Sequence, residues 1–171
     1  MMAAIHYLDI SGLAEEVRNF SSSGDRSILG ICLGMQLLAS TGFEGGRVDG
    51  LDIIPGVVKA LPPSNSDDSI KVPRIGWLPV RPHPESEPLF SSVSPRTQPL
   101  RKYYFAHGFH FIPKDPTVIT AVVAEDPVSV VAAVQCGNVY GTQFHPEKSG
   151  RVGLSLLHRF VTGVDMLEGA T

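Results

Sequence analysis

The 171 residues are 43% hydrophobic and 18% charged, without a long polar tract; at this length roughly 70% of the unfolded surface can leave water, so one globular domain needs neither disulfide nor metal to hold a core. The net charge of −3, with 14 Lys and Arg scattered along the chain, argues against nucleic acid as a partner. No run approaches the ~18 uninterrupted apolar residues of a membrane span and no basic-then-apolar leader opens the chain, so a soluble, cytoplasmic protein with free thiols at Cys32 and Cys136 is expected.

Leu13, Val17 and Phe20 recur at i, i+4 and i+7 with Glu15 and Glu16 in the first turn, which predicts a short amphipathic helix from Ser11 or Gly12, ending over Ser21 to Asp25. Ile28, Leu29 and Ile31 form a compact apolar run bounded by glycine, and Met35, Leu37 and Leu38 continue in helix-favouring residues: strand, sharp turn, helix. The glycine-rich stretch Thr41 to Gly50 is expected to hold no regular structure, and Ile53 to Ala60 resumes as strand around Pro55-Gly56. Pro62 to Asp68 reads as a polar connector; Pro79, Pro82, Pro84, Pro88, Pro95 and Pro99 predict a long irregular excursion. The last third is β-dense, with strands expected over Tyr103 to Phe111, Val118 to Glu125, Val128 to Gln135 and Val139 to His145, the last two joined through Cys136-Gly137-Asn138. Val152, Leu156, Leu157 and Phe160 give a closing helix between Ser149 and Gly163 its apolar face.

Gly30-Ile31-Cys32-Leu33-Gly34 falls at the strand-to-helix junction. A nucleophile elbow has this form: the reactive side chain sits in a strained turn, and flanking glycines relieve clashes around it. The helix N-terminus is expected to lower the thiol pKa from about 8.5, and the Leu33 amide to donate to an oxyanion. A buried cysteine packed as a small hydrophobe beside an ordinary turn fits the same five residues. A second segment, Gly141-Thr142-Gln143-Phe144-His145-Pro146-Glu147, shifts the balance. His145 and Glu147 stand two apart, on one face of extended chain, with Pro146 fixing the backbone between them. Cys32, His145 and Glu147 together supply a nucleophile, a proton carrier and an orienting carboxylate.

Residues Ile28 through Leu38 (Ile-Leu-Gly-Ile-Cys-Leu-Gly-Met-Gln-Leu-Leu) resemble the nucleophile segment of the class I glutamine amidotransferases, and Gly141 through Ser149 resemble their histidine segment. Gly50 to Val58, Lys71 to Trp77 and Tyr104 to Phe109 are similar to further family stretches, in order, and the chain resembles the HisH-type glutaminase subunits over nearly its whole length. The resemblance implies a three-layer, flavodoxin-like α/β fold with a mixed, mainly parallel central sheet. It implies that Cys32 attacks the side-chain amide of L-glutamine, with His145 as base and acid and Glu147 behind it, and that no cofactor or metal takes part. Leu33, Gly34, Gln36, Gly108 and Phe109 would bind substrate; for Gln36 the other reading is a solvated helix residue. Ammonia would pass to a HisF-like (β/α)8-barrel cyclase/synthase partner in histidine biosynthesis. Trp77 would lie at that interface or else pack in the core. His107 is expected to be structural, while His6, His83, His110, His158 and Cys136 are expected to have no role in the chemistry.

The family's opening strands, with the loop that gives a second oxyanion donor, have no counterpart before Met1, so residues 1–171 are expected to form a single glutaminase domain, N-terminally incomplete and lacking its first strands. The family's His-Ser-Tyr stands here as His107-Gly108-Phe109; Arg74 occupies a position where His or Met is usual, and Leu78 one where Asn is usual. Alternatives to the histidine-pathway glutaminase are a catalytically impaired binding subunit, an ammonia supplier for surface polysaccharide sugar modification, and a γ-glutamyl peptidase that acts without a barrel.

Overall fold

A tetrapeptide as apolar as Ile28-Leu29-Gly30-Ile31 is stable as a strand where both of its faces are covered, and the fold covers both. The computed structural model describes residues 1–24, 26–62, 72–83, 89–90, 100–124, 126 and 128–162. In chain order its elements are α1 (Met2–Ile10), α2 (Leu13–Ser23), β1 (Ile28–Ile31), α3 (Leu33–Leu37), β2 (Thr41–Gly42), β3 (Val48–Asp49) and β4 (Gly56–Ala60). There follow β5 (Arg74–Pro82), β6 (Lys102–His107), β7 (Phe109–Pro113), β8 (Ile119–Val123), β9 (Val131–Cys136), β10 (Val139–Thr142) and α4 (Gly150–Thr162).

A six-stranded sheet runs β1-β10-β9-β8-β5-β6, and a four-stranded sheet runs β3-β2-β4-β7. Leu29 and Tyr140 point to one face of the large sheet, where they join Phe105, Ala132 and Phe144 under α4, packed through Val152, Leu156 and Phe160. Ile28 and Val139 point to the other, where Met35 and Leu38 of the α3 segment and Val58 and Phe111 of the small sheet close a second core. Phe105, Phe111 and Phe144 are fully buried, each worth roughly 2–3 kcal/mol of removed apolar surface. A third cluster of Ile5, Ala14 and Leu51 seats α1 and α2.

The sheet is mixed but not mainly parallel. Among the described residues β1 with β10 and β2 with β4 are parallel, and every other pairing is antiparallel. Among the described residues from β5 to β10 there is no helical crossover of the kind that parallel neighbours require. Helix α1 has no sequence stripe to reveal it, because Ile5 is buried while Tyr7 and Ile10 face solvent. Thr41 to Gly50, expected to be irregular, contributes β2 and β3, both held by pairing with neighbours. The proline-rich stretch is likewise more regular than expected: β5 continues through Pro79 to Pro82 by changing partner, from β6 over Arg74 to Pro79 to β8 over Val80 to Pro82. Pro84, Pro88, Pro95 and Pro99, and most of the connector from Pro62 to Asp68, lie outside the described residues. The strand expected from Tyr103 to Phe111 is two, divided at Gly108 as the chain leaves one sheet for the other. The hairpin through Gly137-Asn138 and the closing helix form where expected.

Close approach of α3 to the β1–β10 pair needs glycine twice. A Cβ on Gly30 would lie 2.7 Å from the Gly34 carbonyl carbon, and one on Gly141 would lie 2.8 Å from Met35 Cγ. At Gly34, by contrast, a Cβ would meet nothing within 4 Å. Gly30→Ala is therefore expected to cost about 1–3 kcal/mol in urea denaturation, and Gly34→Ala to stay within about 0.5 kcal/mol of the parent.

Candidate active site

Cys32 follows the last residue of β1 and caps α3 with φ 50° and ψ −101°, a conformation costly to a side-chain-bearing residue. Two hydrogen bonds hold it there: its amide donates to the Thr142 carbonyl at 2.7 Å, and its carbonyl accepts from the Gln36 amide at 3.2 Å. The strained elbow expected from the glycine spacing is thus formed, but of its two glycines only Gly30 is sterically required. The sulfur lies 3.9 Å from the Ala106 carbonyl on β6 and 3.7 Å from Gln143 Nε2.

The electrostatic expectation for this thiol is overturned. Burial pushes the Cys32 pKa up, and the negative charge of Glu147 adds to the rise; the Leu33 amide, the Gln143 carboxamide and Lys148 oppose it without prevailing. Helix α3 has only five residues, and desolvation of the thiol outweighs the hydrogen bond from the Leu33 amide at its start. In the chain by itself the resting form is the thiol.

His145 comes at the end of the segment that β10 begins. Its amide donates to the Tyr104 carbonyl at 2.8 Å, its Nδ1 is 2.7 Å from Glu147 Oε1, and Ser149 Oγ donates to its carbonyl at 2.6 Å while accepting from the Tyr104 amide at 2.9 Å. Because the carboxylate accepts, Nδ1 carries the proton, and Nε2 is left as the nitrogen able to exchange one. The 310 turn Pro146–Lys148 follows His145, its N-cap, and the charges of its Glu147 and Lys148 act on the Cys32 thiol in opposite directions. Ser149 and Gln143, neither assigned a role from sequence, both belong to the site's framework. Gln143 could have been noticed as a long amide directly after Val139-Tyr140-Gly141-Thr142, a wholly buried strand.

Gln36 is neither solvated nor open to the surface: it is buried, and its Nε2 donates to the Phe109 carbonyl at 3.0 Å and to Gln143 Oε1 at 3.2 Å. Leu33 is exposed at the start of α3, Gly34 borders open space, and Gly108 separates β6 from β7. Phe109 thereby reaches the site through its carbonyl, which meets Gln36, whereas the Gly108 carbonyl accepts from the Leu61 amide.

The class I glutamine amidotransferase family (Glutamine amidotransferase class-I) matches residues 9–164. The chain belongs to that family. It is 41% identical over 157 residues to imidazole glycerol phosphate synthase subunit HisH of Moorella thermoacetica, covering 92% of this chain and 69% of that protein. It is 42% identical over 159 residues to the subunit of the same name from Geobacillus thermodenitrificans, covering 92% and 71%. A solved glutamine amidotransferase of 16% identity superposes with a TM-score of 0.62, over 92% of this chain and 71% of that one, which supports the fold. Within the amidotransferases the chain is therefore of the HisH type.

Trp77 does not pack in the core. It is 50% exposed beside Ile75 at 65%, on the outer face of β5, with its ring edge-on to Tyr104 at 6.0 Å. Tyr104 is its cross-strand partner and its carbonyl also accepts from the His145 amide, so this apolar face adjoins the His145–Glu147 pair. Among the described residues no helix is long and apolar enough to cross a membrane, and both cysteines are free.

His107 is structural, as expected. It is 5% exposed, its Nδ1 is 2.8 Å from the Phe109 carbonyl, and among the described residues its Nε2 has no hydrogen-bond partner. Burial is the main force driving its pKa down to about 4; the Phe109 bond opposes this and the Arg74 charge assists. Arg74 is itself buried in an ion pair with Asp126. Burial and Arg74 lower the His110 pKa as well. An unfolded histidine protonates near 6.5, so the unfolded chain takes up the proton first as pH falls. The stability tied to neutral His107 is complete above about pH 6.5 and is lost towards pH 4, by on the order of 3 kcal/mol. Urea denaturation at stepped pH should show this loss, and His107→Gln should lack that part of the pH dependence.

Proposed function

We propose that this chain is the glutaminase subunit of an imidazole glycerol phosphate synthase, with residues 1–171 contributing one glutaminase domain in the cytoplasm. One observation supports the reading above others: the strained Cys32 elbow is hydrogen-bonded to Thr142, on the strand that leads into the 2.7 Å His145–Glu147 pair.

In this reading His145 Nε2 takes the Cys32 proton, and the thiolate adds to the side-chain amide carbon of L-glutamine. The Leu33 amide donates to the oxyanion. The C–N bond breaks as the nitrogen takes the proton back from His145 and leaves as ammonia, with a glutamyl thioester on Cys32. His145 next deprotonates a water molecule; its addition expels the sulfur, which is reprotonated, and glutamate departs. Glu147 holds the Nδ1–H tautomer and stabilises the imidazolium. Open space beside Gly34, next to the elbow, is where glutamine would enter. Ammonia is consumed by the HisF-like barrel, docked on the face of Ile75 and Trp77.

With the barrel partner present, Cys32→Ala should abolish ammonia release and His145→Ala should lower it by about 10²- to 10⁴-fold, while Glu147→Gln leaves a measurable remainder. A Cys32→Ala variant that still releases ammonia at the parent rate would exclude this reading. Trp77→Ala should weaken barrel binding about thirtyfold by calorimetry, as for a central aromatic anchor, without altering the folded state.

A further inference from the structure

Two buried carboxamides, Gln36 and Gln143, form a chain that ends on the Cys32 sulfur, and its polarity is dictated from outside. The Phe109 carbonyl can only accept, so Gln36 must present its nitrogen to it, at 3.0 Å. That same nitrogen lies 3.2 Å from Gln143, which must therefore answer with its oxygen. The nitrogen of Gln143 is then left facing the sulfur, at 3.7 Å. His107 Nδ1, on the same Phe109 carbonyl at 2.8 Å, reinforces the anchor. Gln143 is fully buried and Gln36 is 5% exposed, so neither can reverse its amide without stranding polar atoms away from water.

We infer that Gln143 is a further catalytic residue of the site, a donor aimed at the sulfur that stabilises the thiolate, with Gln36 as the positioning residue that keeps its N–H end turned that way; this rests on Cys32 being the nucleophile. In the thiol state S–H faces the Ala106 carbonyl, which can only accept and gives nothing to the anion. Once the proton leaves, the Gln143 N–H becomes a charge-assisted donor, roughly twice as strong as a neutral one. The charges acting on the sulfur are Glu147 and Lys148 of the 310 turn, which follows His145, while His107 lies further along β6 from Ala106; α3 and β1 bring none. Glu147 opposes the thiolate and Lys148 favours it from solvent, while Gln143 acts from within the buried wall.

The test uses a Cys136→Ser background, in which Cys32 is the single thiol, and follows iodoacetamide alkylation against pH by intact mass. Gln143→Met, similar in length but without a donor, should raise the pH midpoint and slow alkylation at neutral pH about three- to tenfold. Gln36→Met should shift the profile in the same direction by less. A folded Gln143→Met protein whose midpoint is unchanged or lowered would overturn the inference. Should that variant fail to fold by circular dichroism, Gln36→Met decides by the same criterion: a raised midpoint supports the inference and an unmoved one overturns it. Alkylation needs no glutamine, so a chain that cannot hydrolyse glutamine would sink the functional reading while leaving this result intact.

Discussion

The hydrogen bond from the Cys32 amide to the Thr142 carbonyl, 2.7 Å long, joins two parts of the chain separated by more than a hundred residues. It continues the parallel ladder in which Ile31 stands opposite Thr142. Because parallel strands advance together, the residues that follow them emerge at the same end of the sheet, and the nucleophile and histidine segments arrive side by side. Gly30 and Gly141, opposite each other in that ladder, let α3 lie close against both strands. An extra carbon at either position would lift the helix and carry the elbow with it.

Around this pair the second ring of contacts is antiparallel. Strand β6 borders the site and is held to the histidine segment by Ser149, which bonds both Tyr104 and His145. Its side chains divide cleanly: Tyr103, Phe105 and His107 enter the interior, while Tyr104 and Ala106 remain on the side of Trp77 and Ile75. The surface proposed to receive the barrel and the groups proposed to perform the chemistry thus share one strand. Pressure or movement on one has a direct mechanical path to the other.

The electrostatics keep the isolated site quiet. The thiol is desolvated and held in its protonated form, with the donors that would favour its anion already in place. Burial of His107 and His110 as neutral rings beside the Arg74–Asp126 ion pair keeps protonation changes out of the framework at neutral pH.

Much of the site was legible in the sequence, because the chemistry of an elbow and of a His-Pro-Glu turn is local: Cys32, Leu33, His145 and Glu147 could be named from spacing and residue type. The central apolar strands, the Gly137-Asn138 hairpin and the two amphipathic helices were legible for the same reason. Strands β2 and β3 and the continuation of β5 through its prolines were not, since they exist by pairing: β3 with the adjacent β2, β2 also with β4, and the end of β5 with β8. Sequence by itself pointed to Cys32, His145 and Glu147 as the groups proposed to carry the chemistry. Tertiary structure alone decided that burial raises the Cys32 pKa, that Trp77 faces outward, and that Gln36 and Gln143 form one oriented chain. Burial and hydrogen-bond polarity depend on neighbours brought from more than seventy residues away, which no local pattern of residues records.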